Sequence, residues 1–166
     1  AVICIPQGWI WQGGIALAVV MFGDSVDGTL ARMTTGGTRF GAFLDSTLDR
    51  LGDGAVFGSL TAFAVFQMDD SFVRTWAIIA SICSIVGAAA VPYARARAES
   101  VGVVAKRGIA ERTDRLIIGM GAAILMSLGL PEWVFAAGLT WVAFASFVTV
   151  CQRIWFTARH IDEGTQ

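Results

Sequence analysis

The chain has 166 residues, 55% of them hydrophobic and 15% charged, with a formal net charge of −1 and a mean hydropathy of +0.67. So apolar a composition argues against an ordinary soluble domain of this length, and the lack of a basic stripe interleaved with aromatics argues against nucleic-acid binding. Cys4, Cys83 and Cys151 show no CxxC spacing and sit in or beside apolar runs, which speaks against a disulfide framework or a zinc site.

Taken in order, the chain reads as a series of membrane spans. It opens Ala-Val-Ile-Cys with neither Met nor a charged n-region, so it is not a signal peptide and reads as a chain entered partway through. Pro6-Gln-Gly8 is a turn. The first span covers about 9–34, lipid-like over 15–22 and ended by Gly36-Gly37. The second covers about 38–67. Thirty residues at ~1.5 Å each make ~45 Å, more than the ~30 Å hydrocarbon core. Its polar half, through Asp53, should therefore lie at or beyond the interface. Met68-Asp-Asp-Ser71 is a tight polar connection. The third span covers about 72–99, a loop follows over 100–112, and the fourth covers about 113–128. Gly129-Leu-Pro131 turns the chain into a fifth span of about 132–159, and the tail is polar.

The chemistry concentrates in the first two spans. Asp24-Ser-Val-Asp27-Gly28-Thr-Leu-Ala31-Arg32 is followed by Gly41-Ala-Phe-Leu-Asp45-Ser-Thr-Leu-Asp49. Four carboxylates thus fall within 26 residues. On a helix Asp24 and Asp27 share a face at i,i+3, extended by the small Gly28 and Ala31, while Gly41, Asp45 and Asp49 form a second stripe at i,i+4. Ionised groups at membrane depth are costly and usually functional. Four close carboxylates repel one another, so protons or cations must neutralise them. All-oxygen ligands select hard ions, Mg²⁺ or Mn²⁺, and two ions ~4 Å apart are the common arrangement in phosphoryl chemistry. The plainer alternative is a structural Asp/Arg network using Arg32, Arg39 and Arg50. The flanking small residues weigh against it, because such a network has no need of them. Asp53 continues the stripe by one turn but lies outside the pattern; it reads as a supporting or structural residue.

A second cluster is basic. Arg95, Arg97, Arg112, Arg115 and Arg153 come from the ends of three separate spans. Arginine suits bidentate phosphate contacts. Lys106, Arg107 and Arg159 read better as headgroup anchors. With the motif side cytoplasmic, eleven of the 12 basic residues lie inside and only Arg74 lies outside, as the positive-inside rule demands.

The pattern D-x2-D-G-x2-A-R…G-x3-D-x3-D resembles the signature of the CDP-alcohol phosphotransferase family, and every fixed position is matched. The resemblance implies an all-α polytopic transmembrane bundle in the cell membrane with a cytoplasm-facing polar cavity, working as a homodimer. The family has six spans after a short N-terminal helix. Residues 1–166 would then be one transmembrane domain of five spans, with that helix and the first span preceding Ala1. It implies a CDP-diacylglycerol donor whose pyrophosphate sits on two ions (Mg²⁺, with Mn²⁺ as the alternative) held by Asp24, Asp27, Asp45 and Asp49. Asp27, Gly28, Ala31, Arg32 and Gly41 would bind the CDP-lipid, and Asp49 would be the general base. The segments 36–57, 93–99 and 111–118 resemble the actinobacterial branch that uses L-myo-inositol 1-phosphate and makes phosphatidylinositol phosphate and CMP. Its acceptor-phosphate residues map onto Arg95, Arg115 and Arg153, with Arg112 beside them. The branch usually has Lys where this chain has Arg95, which keeps the charge and changes the geometry. Glycerol 3-phosphate, giving phosphatidylglycerophosphate, is the alternative acceptor. The rival class, an ion transporter, needs polar groups through the full depth, and 16–22 and 55–66 carry no ionisable group.

Overall fold

The structure, a computed structural model, describes residues 2–19, 38–104, 109 and 111–161. Asp24, Asp27, Gly28, Ala31 and Arg32 lie outside the described residues. The described chain is all-α. A short 3₁₀ turn, Ile5–Gln7, leads into α1 (Ile10–Val19), followed by α2 (Arg39–Gln67), α3 (Phe72–Ser100), α4 (Arg112–Ser127) and α5 (Glu132–His160). The last four fall within one residue of the predicted bounds at either end.

Local chemistry explains those bounds. Thr38 caps α2, its hydroxyl accepting the Gly41 N–H at 3.0 Å, and Ser71 caps α3 by accepting the Arg74 N–H at 3.1 Å. A capping box opens α4, in which the Glu111 N–H donates to Asp114 Oδ2 at 3.3 Å. Gly129, at φ 97°, takes a left-handed conformation that lets the chain leave α4 and enter α5 at Pro131. Arg74 closes the other end of α2 by donating to the Val65 carbonyl at 2.9 Å.

α5 is the central helix, packed along α3 on one side and α4 on the other, while α2 lies mainly against α3. The core joins Phe57, Leu60 and Phe63 of α2 to Leu116 and Met120 of α4 and to Phe135 and Leu139 of α5. Phe63 and Phe135 meet edge to face, centroids 5.8 Å apart. Small residues bring backbones close, as membrane helices require. A Cβ on Gly87 would stand 2.6 Å from Ser146 Cβ, and one on Gly138 would stand 2.5 Å from Ala122 Cβ. Short polar bonds cross the interfaces: Ser84 Oγ donates to the Leu139 carbonyl at 3.0 Å and Trp76 Nε1 to Thr140 Oγ1 at 2.9 Å. The outward faces carry Ile79, Ile82, Val86, Trp141, Phe144 and Phe147, all exposed. Among the described residues two helices, Phe72–Ser100 and Glu132–His160, are long and apolar enough to cross a membrane.

The close approaches yield a contrast. Gly138→Val should lower stability by about 1–3 kcal/mol through overpacking. Gly121→Ala, where no described residue lies within 4 Å of an added Cβ, should be neutral or stabilising by up to ~1 kcal/mol through helix propensity. Thermal unfolding in detergent micelles reads both.

Candidate functional site

The acidic stripe of α2 divides along its length. Asp45 is exposed, Asp49 is 24% exposed and Asp53 only 2%. Asp45 makes no ion pair among the described residues. Asp49 Oδ1 accepts from Arg112 Nη1 at 2.7 Å, while its Oδ2 lies 4.0 Å from Arg50 Nη1. Asp53 is enclosed: Oδ1 accepts from Arg112 Nε at 2.8 Å and Oδ2 from Arg115 Nη2 at 3.2 Å. Both of these partners of Asp53 come from α4. Among the described residues an Asp/Arg network therefore does exist, built with Arg112 and Arg115 and with Arg50 at its edge.

The four arginines assigned to an acceptor phosphate do come together. Arg95 of α3, Arg112 and Arg115 of α4 and Arg153 of α5 line one cleft of about 460 Å³, together with Ser46, Asp49 and Arg50 of α2. Each is placed by its helix. Arg112 is the first residue of α4, directly after the N-cap Glu111, and Arg115 is the fourth. Arg115 is 3% exposed, so its guanidinium reaches the cleft from within the bundle. Arg153 crosses from α5 to donate to the Val91 carbonyl of α3. The next residue, Pro92, lacks an N–H and lines the cleft too. Arg95 is the open one, half exposed and paired with Glu99 one turn on at 2.9 Å.

Glu99 and Glu111 also line the cleft, and sequence reasoning did not single them out. The i,i+4 spacing of Arg95 and Glu99 was the signal for the first; nothing local marked the second. Gly41 sits at the mouth of α2, where an added Cβ would meet the Thr38 hydroxyl at 3.1 Å. Among the described residues no three carboxylate, His or Cys groups converge as a metal site. Asp45 and Asp49 fit a hard divalent ion as part of such a set: both offer oxygen from one helical stripe, with no nitrogen or sulfur donor beside them.

Electrostatics separates the members by depth. Arg115→Gln should cost about 3 kcal/mol, because it leaves a buried carboxylate short of a partner. Arg95→Gln removes a half-exposed pair and should cost under ~1 kcal/mol. Comparing the two melting temperatures checks the assignment.

Residues 1–152 match the family described as CDP-alcohol phosphatidyltransferase. The phosphatidylinositol phosphate synthase of Mycolicibacterium smegmatis is 40% identical over 157 residues, which span 93% of this chain and 68% of that protein. Among solved structures, Mycobacterium tuberculosis phosphatidylinositol phosphate synthase (PgsA1) with CDP-DAG bound superposes with a TM-score of 0.83 at 35% identity, covering 94% of this chain and 77% of that one. The same protein in complex with manganese and citrate gives a TM-score of 0.84 at 34% identity, covering 95% and 74%.

Proposed function

The chain belongs to the CDP-alcohol phosphatidyltransferase family of membrane enzymes, and from that premise we propose that it moves the phosphatidyl group of CDP-diacylglycerol onto L-myo-inositol 1-phosphate, giving phosphatidylinositol phosphate and CMP. The observation that carries this reading is the convergence of Arg95, Arg112, Arg115 and Arg153, from three helices, on one cleft beside Asp49. A phosphorylated acceptor accounts for that much positive charge; serine or free inositol does not. The relatives that carry the synthase name support the choice of acceptor.

Asp45 and Asp49, with Asp24 and Asp27, would hold Mg²⁺ or Mn²⁺, in two ions. When bound, these ions would neutralise the donor pyrophosphate and the charge that develops on it. Asp27, Gly28, Ala31, Arg32 and Gly41 would bind the CDP part. Arg95, Arg115 and Arg153 bind the acceptor phosphate and so aim its hydroxyl at the donor. Asp49 takes the proton from that hydroxyl. Its Oδ1 is held by Arg112, so Oδ2, whose nearest cation stands at 4.0 Å, is the oxygen that receives it. The acceptor oxygen bonds to the β-phosphorus, the bond from that phosphorus to the bridging oxygen breaks, and CMP leaves with the electron pair. Arg115 and Arg153 line the cleft while anchored to Asp53 and the Val91 carbonyl, and such anchoring favours preorganised charge stabilisation.

The same reading sets the enzyme in the cell membrane with five spans in this chain and the cleft facing the cytoplasm. Arg74 and Arg95 stand 21 residues apart on α3, or ~31 Å at 1.5 Å per residue, close to the ~30 Å hydrocarbon thickness. Arg95, Arg97, Arg112, Arg115 and Arg153 gather at the cleft end, which the positive-inside rule makes cytoplasmic. A homodimer fits as well: Gly54 and Gly58 of α2 have no atom of a described residue within 4 Å of an added Cβ, and small residues at that spacing permit close helix packing.

Two measurements test the assignment. Offered side by side to purified enzyme with CDP-diacylglycerol, inositol 1-phosphate should give a larger kcat/KM than glycerol 3-phosphate, scored as CMP released. A preference for glycerol 3-phosphate would move the chain to the phosphatidylglycerophosphate branch. Asp45→Asn should abolish CMP release in protein that still folds, and Asp49→Asn should lower turnover far more than donor affinity. Near-normal turnover in either variant would remove that residue from its role.

A further inference from the structure

Asp53 belongs to neither the family pattern nor the proposed ligand sets, and it is the most deeply buried carboxylate among the described residues, at 2% exposure. Each of its oxygens is taken by a different arginine of α4. Arg112 uses Nε on Asp53 and Nη1 on Asp49, so the groups form an unbroken series Asp49–Arg112–Asp53–Arg115. The series runs from the carboxylate that would take the acceptor's proton to an arginine that would hold the acceptor's phosphate. Gly52 stands beside it, and an added Cβ there would be 3.5 Å from Arg112 Nη2.

A simple cross-link between α2 and α4 does not explain this arrangement. Replacing a buried ion pair by apolar side chains of similar volume is commonly neutral or stabilising, and the two helices already meet where Gly119 of α4 lies against Phe57 and Leu60 of α2. What a buried carboxylate supplies and a leucine cannot is a fixed direction for a guanidinium. Two arginines side by side also repel each other, and the carboxylate between them offsets that repulsion at the position where a phosphate must find both.

We propose that Asp53 is a positioning residue for the acceptor: it holds Arg115 directly at the phosphate-binding end of the cleft and, through Arg112, sets the distance from that end to Asp49. One side chain thereby sets the register between the acceptor's phosphate and its attacking hydroxyl. The assignment rests on the acceptor being phosphorylated, and it holds for either phosphorylated acceptor, since the shared group is the phosphate.

Steady-state kinetics of Asp53→Asn, with both substrates varied, tests it. The acceptor KM should rise about tenfold, as expected for losing one charge-assisted contact, with the donor KM within about twofold. In a double-mutant cycle Asp53→Asn should add little to Arg115→Gln, because both variants disable the same contact. An unchanged acceptor KM, equal rises in both KM values, or strict additivity would overturn the proposal. Where Asp53→Asn does not fold, Asp53→Glu decides. It keeps the charge and displaces the anchor by one methylene, so a raised acceptor KM supports positioning and a wild-type KM overturns it. Wild-type enzyme on the acceptor panel separates the two levels. If it requires a phosphorylated acceptor while Asp53→Asn leaves that KM unmoved, only the role of Asp53 falls. If it turns over unphosphorylated inositol alone, the arginine reading fails and takes this role with it.

Discussion

A carboxylate 2% exposed in so apolar a bundle is costly unless cations reach it, and Arg112 and Arg115 do so from a different helix. The geometry of the cleft follows from that requirement. α4 must begin where its first turn can reach α2, which its capping box fixes at Glu111. Arg115 must lie inside the bundle, which places a guanidinium on the inner wall of the cleft instead of its rim. Arg112, spanning two carboxylates, holds Asp49 in place as well. Charge pairing and helix placement are here the same constraint.

The bundle separates its chemistry by depth. Beyond Asp53, α2 carries no ionisable side chain down to Phe66; polar bonds midway along it, such as Thr61 Oγ1 to Ser81 Oγ at 2.9 Å, join hydroxyls and carbonyls, and Arg74 reaches only its last turn, at the Val65 carbonyl. No ionised side chain enters the middle of α3 or α5. A continuous ion path would need such groups. An enzyme that meets a lipid headgroup on one side and a water-soluble acceptor on the other needs them at one end alone, which is where the cleft lies.

Much of this was legible in the sequence. Helix limits could be read because Thr38, Ser71, Glu111 and Gly129 are local signals that act within one turn, and long apolar runs mark where lipid would be. The acidic stripe could be read because i,i+4 spacing fixes a shared face whatever the tertiary structure. The convergence of Arg95, Arg115 and Arg153 came from resemblance to a known family, and the cleft they line matches it. Pairing could not be read. Arg112 and Arg115 are 59 and 62 residues from Asp53, and nothing near Asp53 says which of the arginines reaches it. The differing depths of Asp45, Asp49 and Asp53 were hidden for the same reason: one stripe on one helix looks uniform until another helix covers one end of it.

The two ends of α4 are held by different forces. Toward its C-terminus, Ala122 lies against Gly138 so closely that no Cβ fits between them, and dispersion and shape hold that end. At its N-terminus the outermost contact, Arg112 to Asp49, is 31% and 24% exposed and open to counterions, while Arg115 to Asp53 behind it is sealed. Ionic strength therefore acts on this helix unevenly. Added salt screens the Arg112–Asp49 attraction over a Debye length of about 8 Å at physiological concentration and about 3 Å at 1 M, and it leaves the far end untouched. The two ends of α4 therefore answer to different conditions, the packed end to side-chain volume and the cleft end to salt.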